Sequence, residues 1–239
     1  MMRKTFGAGI VGVLLLGLTG CSGGDTAEPA GTSAATATPV PSASASVAPT
    51  ATPEAVAQLS DAELAGIFTD LQFIPDQFAT TGELIGSIYP GLSTSDPTCL
   101  TPFGLGWDED ADLADATVEF GTSNDRSMTA VVSSVGAADV ATGLVADSAD
   151  TLERCGDGTG LFKMQGMEVQ TSMEQFETDL TGTDEALGWR VTGDVGGSPF
   201  ALVGITARVG GNVVALVGWD PATAESYVPL AGQMLVDAL

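Results

Sequence analysis

Two apolar segments near the end of the chain, "FALVGITARV" (200–209) and "NVVALVGW" (212–219), constrain the fold more than any other feature. Each is apolar at nearly every position, so neither reads as a strand with one wet face. They read as central strands covered on both sides. Only Gly210 and Gly211 separate them, and Gly-Gly-Asn tolerates the positive φ of a tight hairpin. Other elements of the chain must therefore cover both faces of that hairpin.

The preceding sequence supplies such elements. Ser60-Asp61-Ala62-Glu63 forms a capping box, and Leu64, Ile67, Phe68 and Leu71 follow at helical spacing. That spacing predicts a helix to about Gln72, ended by Pro75. A second short helix is predicted over 81–89, stopping at Pro90-Gly91, and "DPTCLTPFG" holds a further turn around Cys99. From Ala116 the period becomes two. "ATVEFGTSND" and "SMTAVVSSV" predict a hairpin across Ser123-Asn124-Asp125. Val140, Leu144, Val145, Ala149 and Leu152 then share one face of a helix that ends before Cys155.

In "MEVQTSME", Met167, Val169, Thr171 and Met173 alternate with Glu168, Gln170, Ser172 and Glu174, predicting a strand with the first set buried. "GWRVTGDV" continues the β pattern. Asp220-Pro221 opens a last helix, whose Tyr227, Leu230, Ala231, Met234 and Leu235 are expected to face the core. Pro229 should kink or split that helix. The order of elements predicts an α+β domain with a mainly antiparallel sheet.

The N-terminal part is of a different kind. Arg3 and Lys4 precede an apolar run from Phe6 to Leu18, shorter than the ~20 residues of a bilayer span but right for a secretory signal. Leu18-Thr19-Gly20-Cys21 matches the bacterial lipobox at all four positions. Residues 1–20 are thus expected to be removed as a lipoprotein signal peptide. The Cys21 thiol would then carry a diacylglycerol that holds the chain on the outer face of the cell membrane. Residues 21–59, rich in Ala, Ser, Thr and Pro, read as a disordered tether. Residues 60–239 are the right size for a single domain.

All 31 acidic residues follow Cys21, against five basic ones, a balance of 5 − 31 = −26. Such a balance argues against nucleic acid as a partner and against lying flat on anionic lipid. With Cys21 assigned to lipid, Cys99 and Cys155 remain. Outside the cytoplasm such a pair is expected to form a disulfide. Metal or redox use would want a CxxC spacing or nearby His, and the chain contains no His.

Few residues suggest chemistry. Asp108, Asp110, Asp112 and Glu119 fall at positions 1, 3, 5 and 12 of an EF-hand loop, but Leu113 stands where glycine is needed. The acidic run therefore reads as a solvated loop, and no metal is assigned. Met164, Met167 and Met173 suggest core packing or the adaptable lining of an apolar groove, ahead of soft copper(I) ligands. Without His there is no Ser-His arrangement, and Lys163, the only lysine after Cys21, has no serine motif beside it. "GDGTG" (156–160) lacks the lysine of a phosphate-binding loop and reads as a turn. No catalytic residue and no cofactor follow from the sequence.

"DPTCL", a helix ending in "ADTLERC", and "GNVVALVGWD" leading into a final helix together resemble the PknH-like extracytoplasmic sensor domain family. That domain occurs on actinobacterial serine/threonine kinases and also alone, as tethered lipoproteins. The family usually has two disulfides. Cys99 and Cys155 match the first, while Trp189 and Trp219 stand without the cysteine of the second. The resemblance implies a compact domain with a large groove for an unidentified ligand. The expectation is a membrane-anchored, non-enzymatic, sensor-like domain that binds a small molecule in a groove. One alternative is an interaction module facing an envelope protein, and another, weaker one is a carboxylate hydrolase.

Overall fold

The computed structural model describes residues 57–75, 77–78, 80–220, 222 and 224–239, which fall in one compact unit. The signal segment, Cys21, the tether up to Val56, and Pro221 lie outside the described residues.

The first element among the described residues is helix α1, Asp61–Asp70, held at its N-terminus by Glu63. The Glu63 carboxylate accepts from the Ser60 amide (2.9 Å) and the Ser60 hydroxyl (2.7 Å). The helix ends where Gln72 takes a positive φ of 64°. Strand β1, Phe73–Pro75, follows directly. The sequence reading ended the helix at about Gln72, with Pro75 as its stop, and placed no strand here. In the structure Phe73, Ile74 and Pro75 pair with Ser123, Thr122 and Gly121, a long-range pairing that the local sequence does not announce.

Helix α2 is Thr81–Ile88, capped by the Thr80 hydroxyl accepting from the Glu83 amide (3.1 Å). Strand β2, Leu92–Thr94, precedes a 3₁₀ segment over Pro97–Phe103 that contains Cys99. Two more 3₁₀ turns carry the acidic run. Strands β3, Thr117–Ser123, and β4, Met128–Ser134, form the expected hairpin. Helix α3, Ala138–Arg154, buries Leu144, Val145 and Leu152, while Val140 turns to solvent and Ala141 takes the core position instead.

Strand β5, Asp157–Gly158, pairs with Thr171 and Ser172, so the "GDGTG" stretch read as a turn contributes a short edge strand. The short strands β6, Phe162–Met164, and β7, Met167–Glu168, precede β8, Thr171–Phe176. The long strands β9, Glu185–Val195, and β10, Ser198–Val209, then run into β11, Asn212–Gly218. Helix α4, Ala224–Ala238, runs on as one helix through Pro229, so it is not split in two.

Eight strands form one antiparallel sheet in the order β1-β3-β4-β11-β10-β9-β8-β5, and β2-β6-β7 form a second, three-stranded sheet. The fold is α+β, as the element order predicts. Every residue of β11 is buried, as expected of a strand covered on both faces. On one face α1 lies over β1 and β3, and α4 lies over β10 and β11. The other face carries α3, the 3₁₀ segment and α2, around Phe103, Phe162, Trp189 and Trp219.

The helix α4 corrects the sequence reading most. Its buried residues are Ala224, Val228, Gly232, Leu235 and Val236. Of the expected core face only Leu235 is buried: Tyr227 is 56% exposed, Leu230 63% and Met234 51%, with Ala231 half-buried. The helix has two apolar stripes, and only one of them meets the sheet.

Candidate functional site

The stretch "MEVQTSME" does not form one strand. Met167 and Glu168 pair with Met164 and Lys163 in the small sheet, whereas Thr171 onward pairs with β9 in the large one. The chain changes sheets at Val169 and Gln170. The buried Val169 still donates its amide to the Phe162 carbonyl (2.8 Å). This shift overturns the expected burial of Met167, which is 69% exposed. Val169 and Thr171 are buried as expected.

The split opens a cleft of about 630 Å³ between two hairpin tips. One tip is the Gln165-Gly166 turn between Met164 and Met167, with φ of 51° and 82°. The other is the Gly196-Gly197 turn between Val195 and Ser198, with φ of 63° and 90°. Two successive positive φ values define the two-residue turn that matches strand twist. Met164, Met167, Val169 and Val195 give the cleft its apolar surface, and Gln165, Gln170, Glu168 and Asp194 edge it with polar groups.

The two cleft carboxylates are already bonded. Glu168 accepts from the Ser95 hydroxyl and pairs with Lys163 (3.2 Å). The Ser95 hydrogen bond, with help from Lys163, holds its carboxyl below the usual range. Asp194 accepts from the Gly197 amide (2.6 Å), which fixes the second tip. Lys163 is thereby committed to an ion pair across β6 and β7. Among the described residues that line the cleft, none is a serine, threonine, cysteine or lysine. Its side chains are suited to burying an apolar body and orienting it through the Gln165 and Gln170 amides.

The cleft stands on a rigid base. Phe200, near the second tip, lies 6.1 Å from Tyr89 and 6.3 Å from Phe162, and Phe162 lies 6.5 Å from Phe103. Phe103 contacts Trp189 at 4.5 Å. These rings tie the hairpin tips to the core.

A second feature lies on the opposite sheet face. Leu71, Phe73 and Met128 face Tyr227, Leu230, Ala231 and Met234 across an apolar groove of about 270 Å³.

The other sequence candidates are dispersed. Asp108 and Asp112 sit in separate 3₁₀ turns, and Asp110 spends a carboxylate oxygen on the Asp112 amide (2.9 Å). Glu119 is buried on β3. Among the described residues no group of three or more His, Cys, Asp or Glu is placed to hold a metal ion. Met173 lines a different, polar depression with Arg154 and Asp157. Cys99 and Cys155 are bonded to each other, with their Cα atoms 5.8 Å apart. Cys21, the expected lipid site, lies outside the described residues.

The sequence reading missed both hairpin tips. "MQGM" and "VGGS" carry the Gln-Gly and Gly-Gly dipeptides of tight turns and were the available signal. That the two tips meet is a tertiary fact with no local signature.

Fold and cleft together define an α+β domain with an open cleft between two hairpin tips. No protein-family model matches the chain, and no curated protein matches it. Among solved structures it is similar to the extracellular domain of PknH from Mycobacterium tuberculosis, at 12% identity and a TM-score of 0.45, over 76% of this chain and 92% of that one. A likeness at this level does not establish a family, and the functional reading below rests on the geometry. Among the described residues no helix is long and apolar enough to cross a membrane.

Proposed function

We propose that this chain is an extracytoplasmic, sensor-like binding protein without catalytic chemistry, held at the membrane through Cys21, whose domain takes a small, largely apolar ligand in the cleft between the two hairpin tips. The cleft carries the reading. At about 630 Å³ it is within the range of small-molecule sites, which run roughly 300–1,000 Å³, and its lining is apolar with a few convergent polar groups. Met164 and Met167 are unbranched and re-pack around ligands of different shape. The lipobox supports the anchor, and the Ala/Ser/Thr/Pro-rich stretch supports a domain held away from the lipid surface.

The uncharged dye Nile red tests the reading with the mature full-length chain. Its fluorescence should rise on binding, and Met167→Asp, which places a charge on an exposed side chain of the cleft wall, should abolish most of that rise. A rise that survives Met167→Asp and disappears in Leu230→Ser would move the apolar site to the other sheet face and contradict the proposal.

A further inference from the structure

Both walls of the cleft end in strand edges. In an antiparallel pair, residues alternate between those that exchange backbone hydrogen bonds across the pair and those that turn their N–H and C=O outward. In β6 and β7 the phase is set by Val169, whose amide donates to the Phe162 carbonyl (2.8 Å). Phe162 and Val169 are therefore a bonded position, and the adjacent pair, Lys163 and Glu168, is of the outward kind. The backbone N–H and C=O of Glu168 point away from β6. β7 is the last strand of its sheet, so no strand of that sheet stands beside them.

The second tip repeats the pattern. Asp194 stands opposite Pro199, which has no N–H to give, so this pair too is of the outward kind. The backbone of Asp194 points away from β10, to the side where β8 runs. The ladder between β8 and β9 stops at Thr171 and Gly193, because the chain comes over from the small sheet at Val169 and Gln170. Asp194 lies past its end. Glu168 and Asp194 both line the cleft, yet their carboxylates are held by Ser95 and Lys163 and by the Gly197 amide. What these two residues offer a ligand is backbone. The surface between the edges is apolar: Met164 and Val195 pack against the main core cluster, and Met167 stands opposite Met164 in the β6–β7 pair.

We propose that the ligand of this cleft is a short extended peptide, which adds a strand to the small sheet along β7, exchanges hydrogen bonds with the backbone N–H and C=O of Glu168, and sets apolar side chains against Met164, Met167 and Val195. The Asp194 carbonyl is a further acceptor on the other wall. This assignment rests on the cleft being the ligand site and adds the chemical class of the ligand. In strand addition the main-chain bonds supply affinity, and the alternate side chains, all on one face, supply selectivity. An acyl chain would also bury the methionines, but it would strip water from the Glu168 N–H and C=O and return no partner to them.

The test uses the mature full-length chain and the peptide acetyl-Val-Ala-Val-amide, read by displacement of Nile red. Its counterpart with every amide nitrogen methylated has the same side chains and no N–H. The plain peptide should displace the dye, and the methylated one should need at least about tenfold more, the equivalent of one or two net hydrogen bonds. Glu168→Pro should bind the plain peptide about tenfold more weakly than Glu168→Ala, which loses the same carboxylate but keeps the N–H. Proline is tolerated on a strand edge, and melting curves check that both variants fold. Hydrogen exchange at the Glu168 amide of the unaltered chain should slow when the plain peptide is added. Equal displacement by the two peptides would reduce the site to an apolar pocket, and dye binding that neither peptide disturbs would give it a ligand of another class. Either result overturns the peptide assignment and leaves the cleft as a binding site. A dye signal indifferent to Met167→Asp would remove the cleft itself, and the peptide with it.

Discussion

Trp189 of β9 lies across Gly204 of β10, so closely that a Cβ on Gly204 would stand 2.1 Å from the indole. The ring cannot retreat. Trp189 is fully buried, its Nε1 donates to the Thr206 hydroxyl (3.3 Å), and Thr206 donates to the Pro102 carbonyl (2.9 Å). Gly204→Ala should therefore destabilise the domain by about 1–3 kcal/mol, the usual cost of overpacking a core. Urea denaturation measures it, and unchanged stability would mean that the indole has room to move.

The Cys99–Cys155 bond joins the 3₁₀ segment to the end of α3 across 56 residues of sequence. In the chain-entropy model a loop of that length contributes about 4 kcal/mol. Replacing both cysteines by alanine should lower stability by roughly that amount, and reductant should then have no further effect. Equal urea midpoints for oxidised and reduced wild-type chain would contradict it.

Asp125 organises the turn between β3 and β4. One carboxylate oxygen accepts from the Ser127 hydroxyl (2.7 Å), the Ser127 amide (3.0 Å) and the Ser123 hydroxyl (2.8 Å). These bonds, those from Ser127 foremost, hold its carboxyl below the ordinary value of 3.8. A depressed folded-state value gives stability that is fully present above the unfolded value and lost as the pH falls through the folded one. The melting-temperature gap between wild type and Asp125→Asn should thus be full at pH 6 and close below about pH 3.8. A gap independent of pH would contradict it.

The anchor is tested separately. Cys21→Ser should move the chain from the membrane fraction to the medium or supernatant, and the melting transition of the domain should not change. Retention on the membrane would contradict lipid attachment at Cys21.

Local rules were enough wherever a residue's partner lies nearby in sequence. The Ser60–Glu63 cap, the Gly210-Gly211 turn and the hairpin around Asn124 follow from such rules, and the structure contains all three. The rule fails at β1, where Phe73 and Ile74 continue the apolar pattern of α1 but their pairing partners lie some fifty residues away. It fails again on α4, because Tyr227, Leu230 and Met234 make as good a stripe as Val228, Leu235 and Val236. Periodicity counts stripes and cannot choose between two. The sheet chooses, since Gly218 and Ile205 admit Val228 and Gly232 at close range. The cleft was legible only as a hint, in methionines set near acidic and amide side chains. Its shape depends on a switch between sheets at Val169-Gln170 that nothing in the alternation announces.

Native mass spectrometry of the mature chain, purified gently from its own host's membranes beside a Val195→Asp variant, tests the central claim most directly. Val195 lies in the cleft wall, and the account predicts a non-covalent companion of metabolite or lipid size on the wild type that the variant lacks. A bare chain mass in both, or the same companion on both, would contradict a ligand held between the two hairpin tips.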